Sequence, residues 1–98
     1  MNNYKISEKF ESLKPEQVFE AGRTSFADLE MEIVKDRTFA LLLQVRTTGD
    51  HEINANFIVN GFQNEFTLTL TSETADAEAL HALAEQFAER LKQNFSEQ

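Results

Sequence analysis

The side chains that could move a proton, hold a metal or attack a carbonyl are few, and their spacing limits what they could do. The histidines are His51 and His81. His81 and Glu85 are four residues apart, which on a helix places them on one face, with Glu78 and Glu89 a turn away. Such a pair suits a divalent cation only when a third ligand joins it. Neither is a firm third ligand, so an ordinary surface row is expected, with no metal and no cofactor. The serines Ser7, Ser12, Ser25, Ser72 and Ser96 lack the flanking glycines of a nucleophile elbow. No glycine-rich phosphate loop occurs, and the absence of cysteine removes disulfides, thiolate ligands and thiol nucleophiles together. Asp28, Glu30 and Glu32 alternate with apolar residues. On a strand that spacing spreads carboxylates about 6.7 Å apart along one face, whereas acid–base and glycosidase chemistry gathers them in a cleft. The chain is therefore not expected to be an enzyme.

What remains is recognition, and charge narrows the partners. Seventeen acids oppose nine Lys and Arg, a formal charge of -8. That balance repels a phosphate backbone, and the nearest approach to a basic patch is Lys35-Asp36-Arg37, so direct nucleic-acid binding is not expected. Nine Phe and a hydrophobic fraction of 41% in 98 residues supply material for one core. Residues 1–98 therefore read as a single domain able to fold alone. The N-terminus has no apolar h-region, and the longest apolar run, Phe39 to Leu43, is far too short to span a bilayer. No membrane association and a cytoplasmic location follow as expectations.

Any recognition surface must be positioned by the elements that the hydrophobic periodicity defines. Ile6, Phe10 and Leu13 carry a helical pattern over Ser7 to Leu13. Pro15 opens a second short helix through Ala21, with Gly22 as its stop. From Phe26 the period shortens to two: Ala27, Leu29, Met31 and Ile33 alternate with Asp28, Glu30 and Glu32 as a first strand. Thr38 to Thr47 repeats the pattern after a tight turn at Lys35-Asp36-Arg37. A third strand, with Ile53, Ala55, Phe57 and Val59, follows the turn cluster Thr47-Thr48-Gly49-Asp50-His51. Asn60-Gly61 predicts a two-residue type I′ hairpin into a fourth strand bearing Phe62, Phe66, Leu68 and Leu70. Thr74 then caps a long amphipathic helix with Leu80, Leu83, Ala84, Phe87, Leu91 and Phe95 on its apolar stripe. The expected fold is α+β: short N-terminal helices, a four-stranded antiparallel meander, and a C-terminal helix covering one sheet face.

Tight turns fix register. Pairing Val34 with Thr38, Val45 with Ile53 and Val59 with Phe62 sets Ile33, Phe39, Val59 and Phe62 in one inward row. The same map places Ala40, Leu42 and Ile58 together on the outer face, bordered by Glu30 and Glu32 on one side and by Asn56, Gln63 and Glu65 on the other. An apolar centre with a polar rim is how a protein-binding patch is built. The binding residues read from sequence are thus Leu42, Ile58, Ala40, Glu30, Glu32, Asn56 and Glu65, unless the N-terminal helices fold over that face.

Three functions fit these features. The first is a small acidic protein–protein interaction module, an adaptor, regulator or inhibitor that forms a homodimer and binds through the outer sheet face or an exposed edge strand. The second is a nucleic-acid mimic, with the line Asp28, Glu30, Glu32 standing in for phosphates in the basic site of a DNA- or RNA-binding protein. The third is a holder of extended polypeptide. A meander followed by a helix, with the Asn60-Gly61-Phe62 turn between its last strands, resembles the SecB chaperones in element order. That resemblance implies polypeptide holding but carries no binding residues across. Small size and one domain also suit an accessory protein of a phage or mobile element.

Overall fold

The computed structural model describes residues 2–47, 49 and 52–95. It is α+β, with two helices on one face of a five-stranded antiparallel sheet. Strands β1 (Asn2–Lys9), β2 (Glu32–Arg37), β3 (Leu42–Arg46), β4 (Asn54–Asn60) and β5 (Glu65–Ser72) lie in the order β1-β5-β4-β3-β2. Helix α1 (Pro15–Asp28) carries the chain from one sheet edge to the other, and α2 (Ala77–Phe95) follows β5. The tight turn expected at Lys35-Asp36-Arg37 lies inside β2, and the connection to β3 is the turn Thr38–Ala40. The antiparallel order of β2 to β5 and the C-terminal helix match the sequence reading. The N-terminal region does not.

Residues Asn2–Lys9 form an eight-residue edge strand rather than a helix. Ile6 and Phe10 are four apart, a spacing that fits both a 3.6 and a 2.0 period. Tyr4 resolves the ambiguity: Tyr4, Ile6 and Phe10 recur at even positions, and their partners Leu70 and Leu68 on β5 put them on the core face.

Helix α1 starts at Pro15, where a missing N–H costs nothing, and the Lys14 N–H donates to Gln17 Oε1 at 2.8 Å. It does not stop at Gly22. It runs on to Asp28 and takes up the residues expected to open the first strand. The helix ends in a Schellman turn. The Glu30 N–H reaches the Ala27 carbonyl at 3.0 Å and the Met31 N–H reaches that of Phe26 at 2.9 Å, with Glu30 left-handed at φ 59°. Ala27 is consequently exposed on a helix, and strand pairing begins only at Glu32.

The hairpins also shift register. Ala55 faces Val45 and Phe57 faces Leu43, so inward residues stay inward but slide by one pair. At the β4–β5 turn the slide is larger: Val59 pairs with Phe66, and Asn60 with Glu65. Asn60-Gly61 is not a type I′ turn, because neither Asn60 nor Gly61 has positive φ. Asn64 takes the left-handed position instead, at φ 50°, and Asn60 Oδ1 accepts from the Phe62 and Gln63 N–H groups. The turn cluster before β4 lies largely outside the described residues, His51 included.

Both helices cover the same face. Phe26 stacks on Phe87 with ring centroids 4.4 Å apart, and Phe57 meets both edge-on at 5.9 and 5.3 Å. Val18, Phe19, Leu43, Val45, Leu68, Leu70, Leu80 and Leu91 complete the core. Asp76, not Thr74, caps α2, its Oδ1 accepting from the Ala79 N–H at 2.9 Å. With α1 and α2 both on the inner side, the opposite face of the sheet is left open.

Candidate functional site

Strand alternation writes out the open face row by row. Leu42, Ile58, Thr67 and Ser7 are successive cross-strand partners, with Arg37 beside Leu42. The next row reads Lys35, Gln44, Asn56, Thr69 and Lys5, and the one beyond reads Glu32, Arg46, Asn54, Thr71 and Asn3. The Ser7 and Thr67 hydroxyls hydrogen-bond at 3.0 Å, as neighbours on one face must.

The residues read from sequence as the patch are partly brought together. Leu42 and Ile58 are direct partners, with Ile58 exposed and Leu42 half-buried. Ala40 lies in the single 3₁₀ turn Thr38–Ala40, at the end of the sheet near Ile58. Asn56 occupies the adjoining row, and Glu65 pairs with Asn60 and Lys9 at the same end as Ala40. Glu32 is on the face and bonds Arg46 (Oε2 to Nε, 3.0 Å), a pair that raises the Arg46 pKa. Glu30 is not on the sheet: it is the left-handed residue of the α1 turn. The ruled line expected of Asp28, Glu30 and Glu32 is broken across a helix end, a turn and a strand.

Two residues placed inward by alternation belong to this site. Phe39 is 88% exposed and Phe62 is 102% exposed, against 46% for Ile58. Each stands in a connection at the same end of the sheet, Phe39 in the β2–β3 turn and Phe62 in the β4–β5 turn. Together with Pro15, Ala40, Leu41, Ile58 and Val59 they line a shallow depression. Leu41 there is left-handed, at φ 54°, a conformation a leucine adopts only under constraint. The signal that could have found Phe62 is its place between Gly61 and Asn64, inside a run of turn formers rather than on a strand.

The electrostatics of the face reverse those of the chain. Lys5, Lys9, Lys35, Arg37 and Arg46, five of the nine cations, share it with Glu32 and Glu65, two of the seventeen acids. Lys5 and Lys9 joined it only because the N-terminal segment is a strand. Acids concentrate on the helical side, where Asp28 and Asp36 are neutralised locally. Hydrogen bonds from Arg90 and Asn94 hold the Asp28 carboxyl below its usual range, and those from Arg23 and Thr38 do the same for Asp36.

On α2, His81 Nε2 lies 3.0 Å from Glu85 Oε1, and its ring is 5.2 Å from that of Tyr4. Among the described residues no three potential metal ligands converge. No helix is long and apolar enough to cross a membrane among the described residues. No family model matches the chain, and no curated protein is similar to it in sequence.

Proposed function

We propose that this chain is a small protein-interaction module, an adaptor, regulator or inhibitor, that docks a partner protein on the open face of its sheet. The observation that carries this reading is the pair of almost fully exposed phenylalanines, Phe39 and Phe62, at one end of a face already holding the Leu42–Ile58 pair. Burying a phenylalanine stabilises by roughly 1.5–3 kcal/mol, so two such side chains left in water make a surface poised for burial. Aromatic anchors at a water-excluding centre, ringed by charge, are the composition of a binding hot spot. Five cations on the face favour a partner that presents acids around an apolar knob.

The test is affinity capture from lysate of the source cell, with the parent, Phe39→Ser, Phe62→Ser and Leu42→Glu as parallel baits, each checked for native circular dichroism. A partner held by the parent and lost by the phenylalanine variants supports the reading. Equal recovery by all four baits removes its basis. Weakening of the captured complex by added salt, chiefly through slower association, is the expected signature of the cationic rim.

A further inference from the structure

The two edges of the sheet are built differently. β2 is interrupted by a register shift between Ile33 and Lys35, a bulge of the kind that blunts an edge against pairing. β1 pairs with β5 without interruption over all eight residues, longer than the usual five or six, and contains no proline. Its outer side is open. The Phe10 N–H bonds the Asn64 carbonyl at 2.8 Å, so alternation turns the backbone groups of even-numbered residues toward β5. Those of Asn3, Lys5, Ser7 and Lys9 then face the free edge. Behind that edge a groove of about 360 Å³ runs between β1 and α2, lined by Tyr4, Ile6, Glu8, His81, Ala84 and Ala88. Glu8 is partly exposed and pairs with Lys92 (Oε1 to Nζ, 3.7 Å), while its Oε2 is buried there without a hydrogen-bond partner among the described residues.

We propose that β1 pairs antiparallel with β1 of a second copy, in the register that sets Ile6 opposite the partner's Ile6, joining two sheets into one of ten strands. The pairing is made by the backbone of the β1 edge, although Lys5, Ser7 and Lys9 also border the open face, so the proposal does not depend on the reading above. Register selects itself by charge. For the helices of both copies to lie on the same side, paired residues must share a face. Centring on Lys5 sets Lys5 against the partner's Lys5, and centring on Ser7 sets Lys5 against the partner's Lys9. Both are like-charge pairs. Centring on Tyr4 leaves Ser7, Glu8 and Lys9 without partners on the strand. Centring on Ile6 sets Lys5 against the partner's Ser7 and Lys9 against the partner's Asn3, and pairs the strand from Asn3 to Lys9. The same register places Tyr4 opposite the partner's Glu8, whose buried Oε2 then has a phenolic O–H as donor. Asn3, Lys5, Ser7 and Lys9 supply the backbone bonds across the two-fold axis. The Ile6 pair falls at a non-hydrogen-bonded position, where side chains approach most closely. Dimerisation in this way leaves both open faces uncovered, so each dimer offers two docking surfaces.

Because the chain has no cysteine, a single introduced one reports the register directly. Lys5→Cys, Ile6→Cys and Ser7→Cys proteins, each folded by circular dichroism, are oxidised mildly and run without reductant. The parent is sedimented over a range of concentrations in parallel. The expected result is a parent dimer of twice the 11.2 kDa chain mass and a disulfide dimer from Ile6→Cys alone, since the other two sites lie beyond the reach of a disulfide in this register. Ser7→Lys, facing the partner's Lys5 at two places in the dimer, should raise the dissociation constant roughly fivefold, and Ser7→Glu should lower it by a similar factor. A parent that sediments as a monomer throughout overturns the proposal. So does cross-linking through residue 5 or residue 7 in place of residue 6, or a dimer indifferent to both Ser7 variants.

Discussion

Gly22 lies against the ring of Phe57: a Cβ built on it would overlap Cε2 and stand 2.9 Å from Cζ. This one approach seats α1 on the inner face of β4 and thereby keeps the outer face open. Two effects oppose each other in Gly22→Ala. The helix gains about 0.8–1 kcal/mol of propensity, while overpacking a filled core costs about 1–3 kcal/mol. Phe57 is fully buried among Phe26, Phe66 and Phe87 and has nowhere to retreat, so packing should win. Urea denaturation of Gly22→Ala is expected to show a net loss of about 1 kcal/mol. A gain would mean that α1 does not sit this close to the sheet.

That glycine also marks how far the sequence could be read. Residue type alone does not separate a helix-stopping glycine from one demanded by a neighbouring ring, because the ring of Phe57 arrives from 35 residues further along the chain. Asn60-Gly61 failed for a related reason. The dipeptide permits a type I′ turn, but the cross-strand match of Val59 with Phe66 and Phe57 with Leu68 lengthened the loop and put the positive φ on Asn64. The inward and outward sets of β3, β4 and β5 were legible because a period of two survives any even shift in register. Leu42 and Ile58 were therefore found, and Phe39 and Phe62, which are off the ladder, were not.

The exposure of those two phenylalanines separates binding from folding. Phe39→Ser and Phe62→Ser should each change stability by no more than about 0.5 kcal/mol, as exposed substitutions do. Phe87→Ala, which empties the stack on Phe26, should cost about 3–5 kcal/mol. Thermal and chemical denaturation of the three variants checks the contrast. A large loss at Phe39 or Phe62 would show that the aromatic ends of the sheet are part of the core and not a docking surface.

Acid should loosen the helix pair. Asp28 accepts from Arg90 Nε at 2.8 Å and from Asn94 Nδ2 at 3.3 Å, and the Asn94 amide also reaches Ser25 Oγ at 2.9 Å, so one carboxylate ties the end of α1 to the last turns of α2. Its folded pKa is lowered, as is that of Asp36. The unfolded chain therefore takes up these protons first as pH falls. The stabilisation is complete above the usual carboxylate range and is lost as pH drops through the lowered folded values. Stability measured by urea from neutral pH into the acid range should fall, and Asp28→Asn should flatten part of that slope. An unchanged slope would show that Asp28 contributes nothing to linkage.

Glu30 offers the cleanest gain in stability. It closes the Schellman turn of α1 at φ 59°, the position where glycine is favoured because a Cβ in the left-handed region crowds the following carbonyl. The side chain is exposed and makes no hydrogen bond or ion pair among the described residues, so replacing it sacrifices no such contact. Gly brings more unfolded-state entropy, which offsets part of the relief. Glu30→Gly should stabilise the fold by about 0.5–1 kcal/mol, and the β-branched Glu30→Val should destabilise it by at least as much. Both are read as shifts in the urea midpoint at constant slope. If Glu30→Val proved the more stable, residue 30 would be extended, as the alternating pattern of Leu29, Met31 and Ile33 first suggested, and α1 would have to end before Asp28.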